Sequence, residues 1–425
     1  IRGTALLSAA PDLLSCSESS APARLFEALN RVLLDHIWQV RQAACYSLPG
    51  VFAIQPRNNA RRENLLLIMR ALKQDVSPNV QLAAFEMIGE IIYLFHDDEN
   101  GVPDELVRLF MGKPMDAHDE GNDVNEFLTN SDYALIVAFN FPAVVLTLGP
   151  EQWSRLRELY KRLTTHAHDN VRNSLAASLH QMAKIIGPKA TCQDLIPVSD
   201  QFFRDTCVDV TATMLEHMDE FWLMLPVEAA REQLLRVPAL WLTNYAHEWR
   251  LRQSIAANIP ALIPTMLLDD EDGCLITLSL LALNDPINAL RNIGIQCVPI
   301  TYRTFREHDE TIADGFLSML CDMAHASTSR QRTIFLNIVQ SLLEHDLSRE
   351  RFERLILPCL LELVADGVSD VNIALARTVQ QVWLLGWYNN ETIPEALRQV
   401  VATLLIAQTL TVPEFMQHRA PRCLT

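Results

Sequence analysis

The residues best suited to specific chemistry are few. Trp249 and Arg250 stand together in AHEWRLRQSIAANIP, residues 246–260, where a polar turn gives way to an apolar run. An indole offers rigid apolar area and a guanidinium a fixed fork of donors, so the pair suits recognition of a macromolecule better than bond-making. The stretch HAHD, 166–169, has a His-x-His spacing able to hold a metal ion, but no third ligand lies nearby and a hydrophilic turn accounts for it. GxGxxG, GxxxxGKS/T, HExxH and GxSxG do not occur. Carboxylates are spread along the whole chain, so pairing any two as acid and base would be arbitrary. The sequence thus presents no catalytic constellation, no metal-ligand set and no cofactor motif, and is expected not to be an enzyme.

The elements that position Trp249 recur. Junctions between a polar turn and an apolar run begin at Ile1, Val40, Val80, Tyr133, Val171, Val210, Leu251, Leu290, Arg330 and Val371. The intervals are 39, 40, 53, 38, 39, 41, 39, 40 and 41 residues. Eight places after each start stands an apolar residue: Ala9, Leu48, Ile88, Phe141, Leu179, Met218, Ile259, Val298, Ile338 and Val379. Offsets four and five are mostly apolar as well, which is one face of a helix. Arginine follows the start in five copies, as Arg2, Arg41, Arg172, Arg252 and Arg291. Proline returns nine residues after a start at Pro49, Pro142, Pro260 and Pro299. Interior helix proline costs about 3 kcal/mol, so its return at one register marks a real repeat.

A second amphipathic run, such as LFEALNRVLLD or LRELYKRLTT, lies between junctions. Asn79, Asp132, Asn170, Asp209 and Asp370, each just before a start, read as helix N-caps. The expected unit is therefore helix, short polar turn, helix, about forty residues long and stacked on its neighbours to bury its apolar faces. The long interval holds an acidic stretch; from 97 to 126 it has ten acids and two bases. It is expected to be a solvated, partly disordered insertion carrying one repeat helix. The expected divisions are 1–96, the insertion 97–130, and 131–425, in one continuous array.

Composition agrees with an all-α chain. Of 425 residues 49% are hydrophobic and only 13 are glycine, and Val/Ile/Thr alternation is scarce. The nine cysteines form no CxxC pair, which suits reduced thiols in a cytoplasmic or nuclear protein. A net charge of −17 disfavours broad binding to nucleic acid or to anionic membranes. The segment YALIVAFNFPAVVLTLG, 133–149, is interrupted by Asn140 and Pro142 and is expected to be a helix buried on most sides. No signal peptide is visible, and a chain opening on Ile1 rather than Met is expected to lack residues before it.

At this point the chain resembles the HEAT-repeat scaffold and regulatory subunits of 2A-type protein phosphatases. HEWRLRQSIAANIPALI is similar to their Trp-Arg-Val-Arg junctions, with Trp249, Arg250, Leu251 and Arg252 in the matching slots. NDPINALRNIGIQCV, STSRQRTIFLNIVQSLL and VSDVNIALARTVQQVW resemble the following repeats in the family's order. VRNSLAASLHQMAKIIG and DLIPVSDQFFRDTCVDV resemble the phosphatase 4 branch, which also interrupts its array with an acidic insertion. Arg330 departs from the family, standing where an apolar residue or histidine is usual.

The resemblance implies a curved α-solenoid of about ten HEAT repeats with no chemistry of its own. Its C-terminal turns would bind a serine/threonine phosphatase catalytic subunit, and the rest of the array would position substrate proteins. Trp249 and Arg250 match the family's contact positions. Asp285, Ile287, Asn288, Arg330 and Asp370 join them because their turns follow in line, together with Pro286, Thr328, Ser329 and Ser369. Arg252 is expected instead to pair with an acid one repeat away. Trp38, two places before its start as Trp249 is, suits either a second ligand or the fold. The alternatives are a karyopherin-like transport receptor holding basic cargo, or a structural spacer in a larger complex.

Overall fold

A computed structural model describes residues 21–115, 129–345 and 347–388, with 394, 395, 397 and 398 beyond them. The copy opening at Ile1, with Arg2 and Ala9, and residues 116–128 of the acidic insertion lie outside these. The described elements are helices joined by turns, and no strand occurs among the described residues.

Nine described helices open the repeats: α1 Trp38–Cys45, α2 Pro78–Glu86, α3 Ser131–Leu148, α4 Asp169–Ala190, α5 Val208–Glu216, α6 Trp249–Met266, α7 Asn288–His308, α8 Ser329–His345 and α9 Ser369–Leu384. Eight of them begin two residues before the start read from the apolar pattern. The exception is α8, which begins at Ser329 and so moves that start from Arg330 to Gln331. The apolar residues eight places after the starts, from Leu48 through Phe141 and Ile259 to Val379, are all buried.

The early helix starts correct the capping reading. Asn79, Asp132, Asn170, Asp209 and Asp370 are the second residues of their helices rather than N-caps. There the three acids meet the positive end of the helix dipole. The cap position lies two residues earlier, and at Asn130 the side chain accepts a hydrogen bond from the Asp132 N–H. Proline nine residues after the start is accommodated in two ways. α3, α6 and α7 continue through Pro142, Pro260 and Pro299. In the first described repeat α1 ends at Cys45, and a separate helix Leu48–Ala53 carries Pro49 in its first turn.

The described chain divides into two compact units, Ile1–Pro226 and Val227–Thr425. Within the first, α1 to α5 each pack on the next, with helices such as Asn59–Lys73 and Trp153–Thr164 as the second layer. Phe141 of α3 is its aromatic centre, 5.6 Å from Phe110 and 5.0 Å from Tyr160 by ring centroids, with the rings edge-on. Phe110 belongs to helix Asp104–Phe110, whose Leu106, Val107, Leu109 and Phe110 are buried, so this part of the acidic stretch packs as the second helix of its repeat. Residues 133–149 depart from their expectation. α3 buries one stripe, Ala134, Val137, Ala138, Phe141, Val144 and Val145, while Phe139 is 75% and Leu146 66% exposed. By length and composition alone α3 is long and apolar enough to cross a membrane, a test that the core helix of a soluble protein also passes.

In the second unit α6 packs on α7, α7 on α8 and α8 on α9, backed by helices Cys274–Asn284 and Glu310–Cys321. Gly294, four places after its start, lets α7 approach helix Cys274–Asn284 closely. A Cβ there would lie 2.7 Å from the Leu283 backbone nitrogen. All seven described cysteines are free.

Candidate partner-binding surface

The recurrent arginine decides which turn residues remain exposed. In four repeats the arginine after the start reaches an aspartate in the turn of the following repeat: Arg41 to Asp75, Arg172 to Asp205, Arg252 to Asp285 and Arg332 to Asp366. Each pair is a two-pronged fork. Nε lies 2.8, 2.8, 2.7 and 2.5 Å from one carboxylate oxygen, and Nη2 meets the other. The remaining guanidinium nitrogen, Nη1, donates to carbonyls of the arginine's own turn: those of Asp35, His166, Tyr245 and Ala326. Each aspartate also accepts the N–H two residues on, from Ser77, Cys207, Ile287 or Val368. One arginine thus closes its own turn and holds the next. The hydrogen bond from the arginine keeps the carboxyls of Asp75, Asp205 and Asp366 below the usual carboxylate range. Where the arginine is missing, Gln81 and Asn372 donate to the carbonyls of Asp75 and Asp366 instead.

This ladder settles the place of Arg252, which is 5% exposed and bonded as expected to an acid one repeat away. It also removes Asp285 from the candidate surface. Asp285 is 4% exposed, and Arg252 engages both its carboxylate oxygens, so it holds the array together and has no face for a partner. Arg332 of the ladder was hidden by the one-residue slip at Arg330. Asp75, Asp205 and Asp366 were also missed, and Asp285 was read as a partner contact; the shared signal is an acid five residues before the next start.

With Arg252 turned inward, Trp249 and Arg250 stand outward at the first two positions of α6. Trp249 is 37% exposed, and the Arg250 guanidinium lies 4.8 Å from the centroid of its ring. Asn288, Ser329 and Ser369 hold the position of Trp249 in the next three repeats, and Arg330 and Asp370 that of Arg250. Asn288, Arg330 and Asp370 are exposed and Ile287 is half-buried. Asn288 accepts from Arg291, whose other nitrogen bonds the carbonyls of Asp285 and Pro286. The candidate residues that remain exposed or half-buried in the second unit are Trp249, Arg250, Ile287, Asn288, Arg330 and Asp370. In the first unit Trp38 holds the position of Trp249 and is 36% exposed.

The His-x-His stretch is a turn: the His168 N–H donates to Nδ1 of His166. A convergence that spacing did not reveal joins His180 of α4 to His217 and Glu220, 37 and 40 residues further on.

Residues 137–240 match the family model described as protein phosphatase 4 regulatory subunit 1 middle domain. The chain is 28% identical over 258 residues to the human serine/threonine-protein phosphatase 4 regulatory subunit 1, which is 60% of this chain and 27% of that protein. The mouse protein of the same name matches to the same extent. The matched stretch is thus about a quarter of those relatives' length. Among solved structures, Kap121p bound to RanGTP superposes with a TM-score of 0.55 at 14% identity, over 95% of this chain and 46% of that one. That likeness is one of fold alone. The resemblance read from the repeat junctions and the sequence comparisons lead to one family: the chain is similar to protein phosphatase 4 regulatory subunit 1.

Proposed function

We propose that this chain is a non-catalytic regulatory or scaffold subunit that binds a serine/threonine protein phosphatase catalytic subunit, of the phosphatase 4 type, and directs it to substrate proteins. Binding runs through the exposed turns of the second unit, with Trp249 and Arg250 as the anchor and Ile287, Asn288, Arg330 and Asp370 as the flanking contacts. The observation that carries this reading is the outward pair at the head of α6, in a repeat whose own structural arginine is Arg252. Tryptophan and arginine dominate interface hot spots because a rigid ring and a fixed fork lose little entropy on docking. The regulatory role of the relatives supports the rest. The chemistry and any metal it requires reside in the catalytic partner.

The test is binding of the purified chain to purified phosphatase 4 and 2A catalytic subunits, beside the double variant Trp249→Ala/Arg250→Ala with unchanged melting. The expected loss is at least about 2 kcal/mol, the hot-spot scale. A parent chain that binds neither enzyme overturns the assignment in favour of a transport receptor or a spacer. Equal binding by parent and variant keeps the function and moves the anchor elsewhere.

A further inference from the structure

Two histidines and a glutamate from adjacent repeats of the first unit converge. His180 stands on α4 nine residues after its start, the place four other repeats give to proline. His217 lies at the break after α5, and Glu220 on the short helix Met218–Trp222 that follows. Their ligand atoms all lie within 4.8 Å of one another. Nε2 of His180 is 4.0 Å from one Glu220 oxygen and Nδ1 of His217 is 3.6 Å from the other, with the two rings 4.3 Å apart by centroid. Three donors about 2.0–2.1 Å from a tetrahedral zinc ion stand about 3.4 Å from each other, so small side-chain rotations close the set.

We propose that His180, His217 and Glu220 form a binding site for a divalent transition metal, zinc by its donor set, with the fourth position left to water. The protonation states suit it. Burial, then the neighbouring His217 ring, pushes the His180 imidazole toward its neutral form, and the Lys184 ammonium bonded to Glu220 keeps that carboxylate ionised. Neither donor must shed a proton at neutral pH to ligate. His180 is 6% exposed and turns its Nε2 toward Glu220. Two groups hold the cluster in the metal's place: Lys184 on Glu220, and the Gln181 amide 2.7 Å from Nε2 of His180. Both are partly solvent-facing side chains that swing aside as the ion enters. The bound metal then staples α4 to the next repeat and stiffens one joint of the array.

The experiment uses the full chain, stripped with chelator and titrated first with cobalt(II) and then with zinc(II). One equivalent of cobalt is expected, with visible bands of tetrahedral intensity, no thiolate charge-transfer band, and displacement by zinc. The variants His217→Ala and Glu220→Gln should each weaken binding by more than the roughly tenfold that loss of a supporting residue brings. Lys184→Ala should strengthen it by freeing Glu220. The His217 side chain is 45% exposed, so the metal-free His217→Ala chain should melt as the parent does. Absence of saturable binding, a thiolate band, or equal affinity in His217→Ala overturns the site.

Discussion

Arg250 and Arg252 are two residues apart, one exposed and the other buried. Arg252 is buried with its charge bound to Asp285, so Arg252→Ala leaves an unpaired carboxylate in a dry joint. Removing one partner of a buried pair typically costs about 3–5 kcal/mol. Arg250→Ala removes an exposed group and should stay within about 0.5 kcal/mol. Urea unfolding of the two variants measures the difference, and equal midpoints would contradict the ladder. The same ladder sets an acid dependence. Asp75, Asp205 and Asp366 have folded pKa values held down by their arginines, so the unfolded chain binds protons first as pH falls. Their stabilisation is complete above the ordinary carboxylate pKa of about 3.9 and is lost as pH drops through the lower folded values. The urea midpoint should therefore fall between about pH 5 and pH 3, and less steeply in an Asp75→Asn/Asp205→Asn/Asp366→Asn variant. At this scale the sequence showed three of the four ladder arginines, and for Arg252 a partner one repeat away. It did not show which acids, because an aspartate in a polar turn looks like any other until the stacking is known.

Among the elements, the apolar period located eight described helices to a constant offset, because buried positions at four, five and eight places are demanded by packing alone. The first two residues of each helix were invisible to that pattern, because they face largely to solvent whatever their type, and this is why Asn and Asp at the second helical position passed for caps and why Arg330 took the place of Gln331. The exposed face of α3 was hidden for the opposite reason: Phe139 and Leu146 are apolar without being buried. Two glycines test how helices approach one another. At Gly294 an added Cβ meets backbone of helix Cys274–Asn284 at 2.7 and 3.1 Å, neither of which yields easily. Gly294→Ala should destabilise by about 1–3 kcal/mol, as overpacking does. Gly315 lies exposed in helix Glu310–Cys321 with nothing within 4 Å. There alanine should stabilise by about 0.5–1 kcal/mol, the helix propensity difference. Opposite shifts in melting temperature from the same substitution bear this out; shifts of one sign do not.

For the molecule as a whole, the lesson of the sequence is that fold and surface were legible to different degrees. Repeat spacing identified an array whose members touch mainly their neighbours. The His180, His217 and Glu220 cluster was beyond reach, since it forms only when consecutive repeats stack. If the chain brings a catalytic subunit and a substrate together by binding each at a separate surface, its effect is one of effective concentration. Such a bridge has a kinetic signature. At low scaffold each added chain recruits an enzyme and a substrate to one another and dephosphorylation accelerates. At high scaffold, enzyme and substrate occupy different chains and the rate returns toward that of the free enzyme. The rate of dephosphorylation of a bound protein substrate should thus rise and then fall with chain concentration. The Trp249→Ala/Arg250→Ala variant should flatten the rise, and a small phosphopeptide too short to bind the array should show neither limb. A curve that rises and saturates for protein and peptide alike would instead indicate that the chain acts on the catalytic subunit itself.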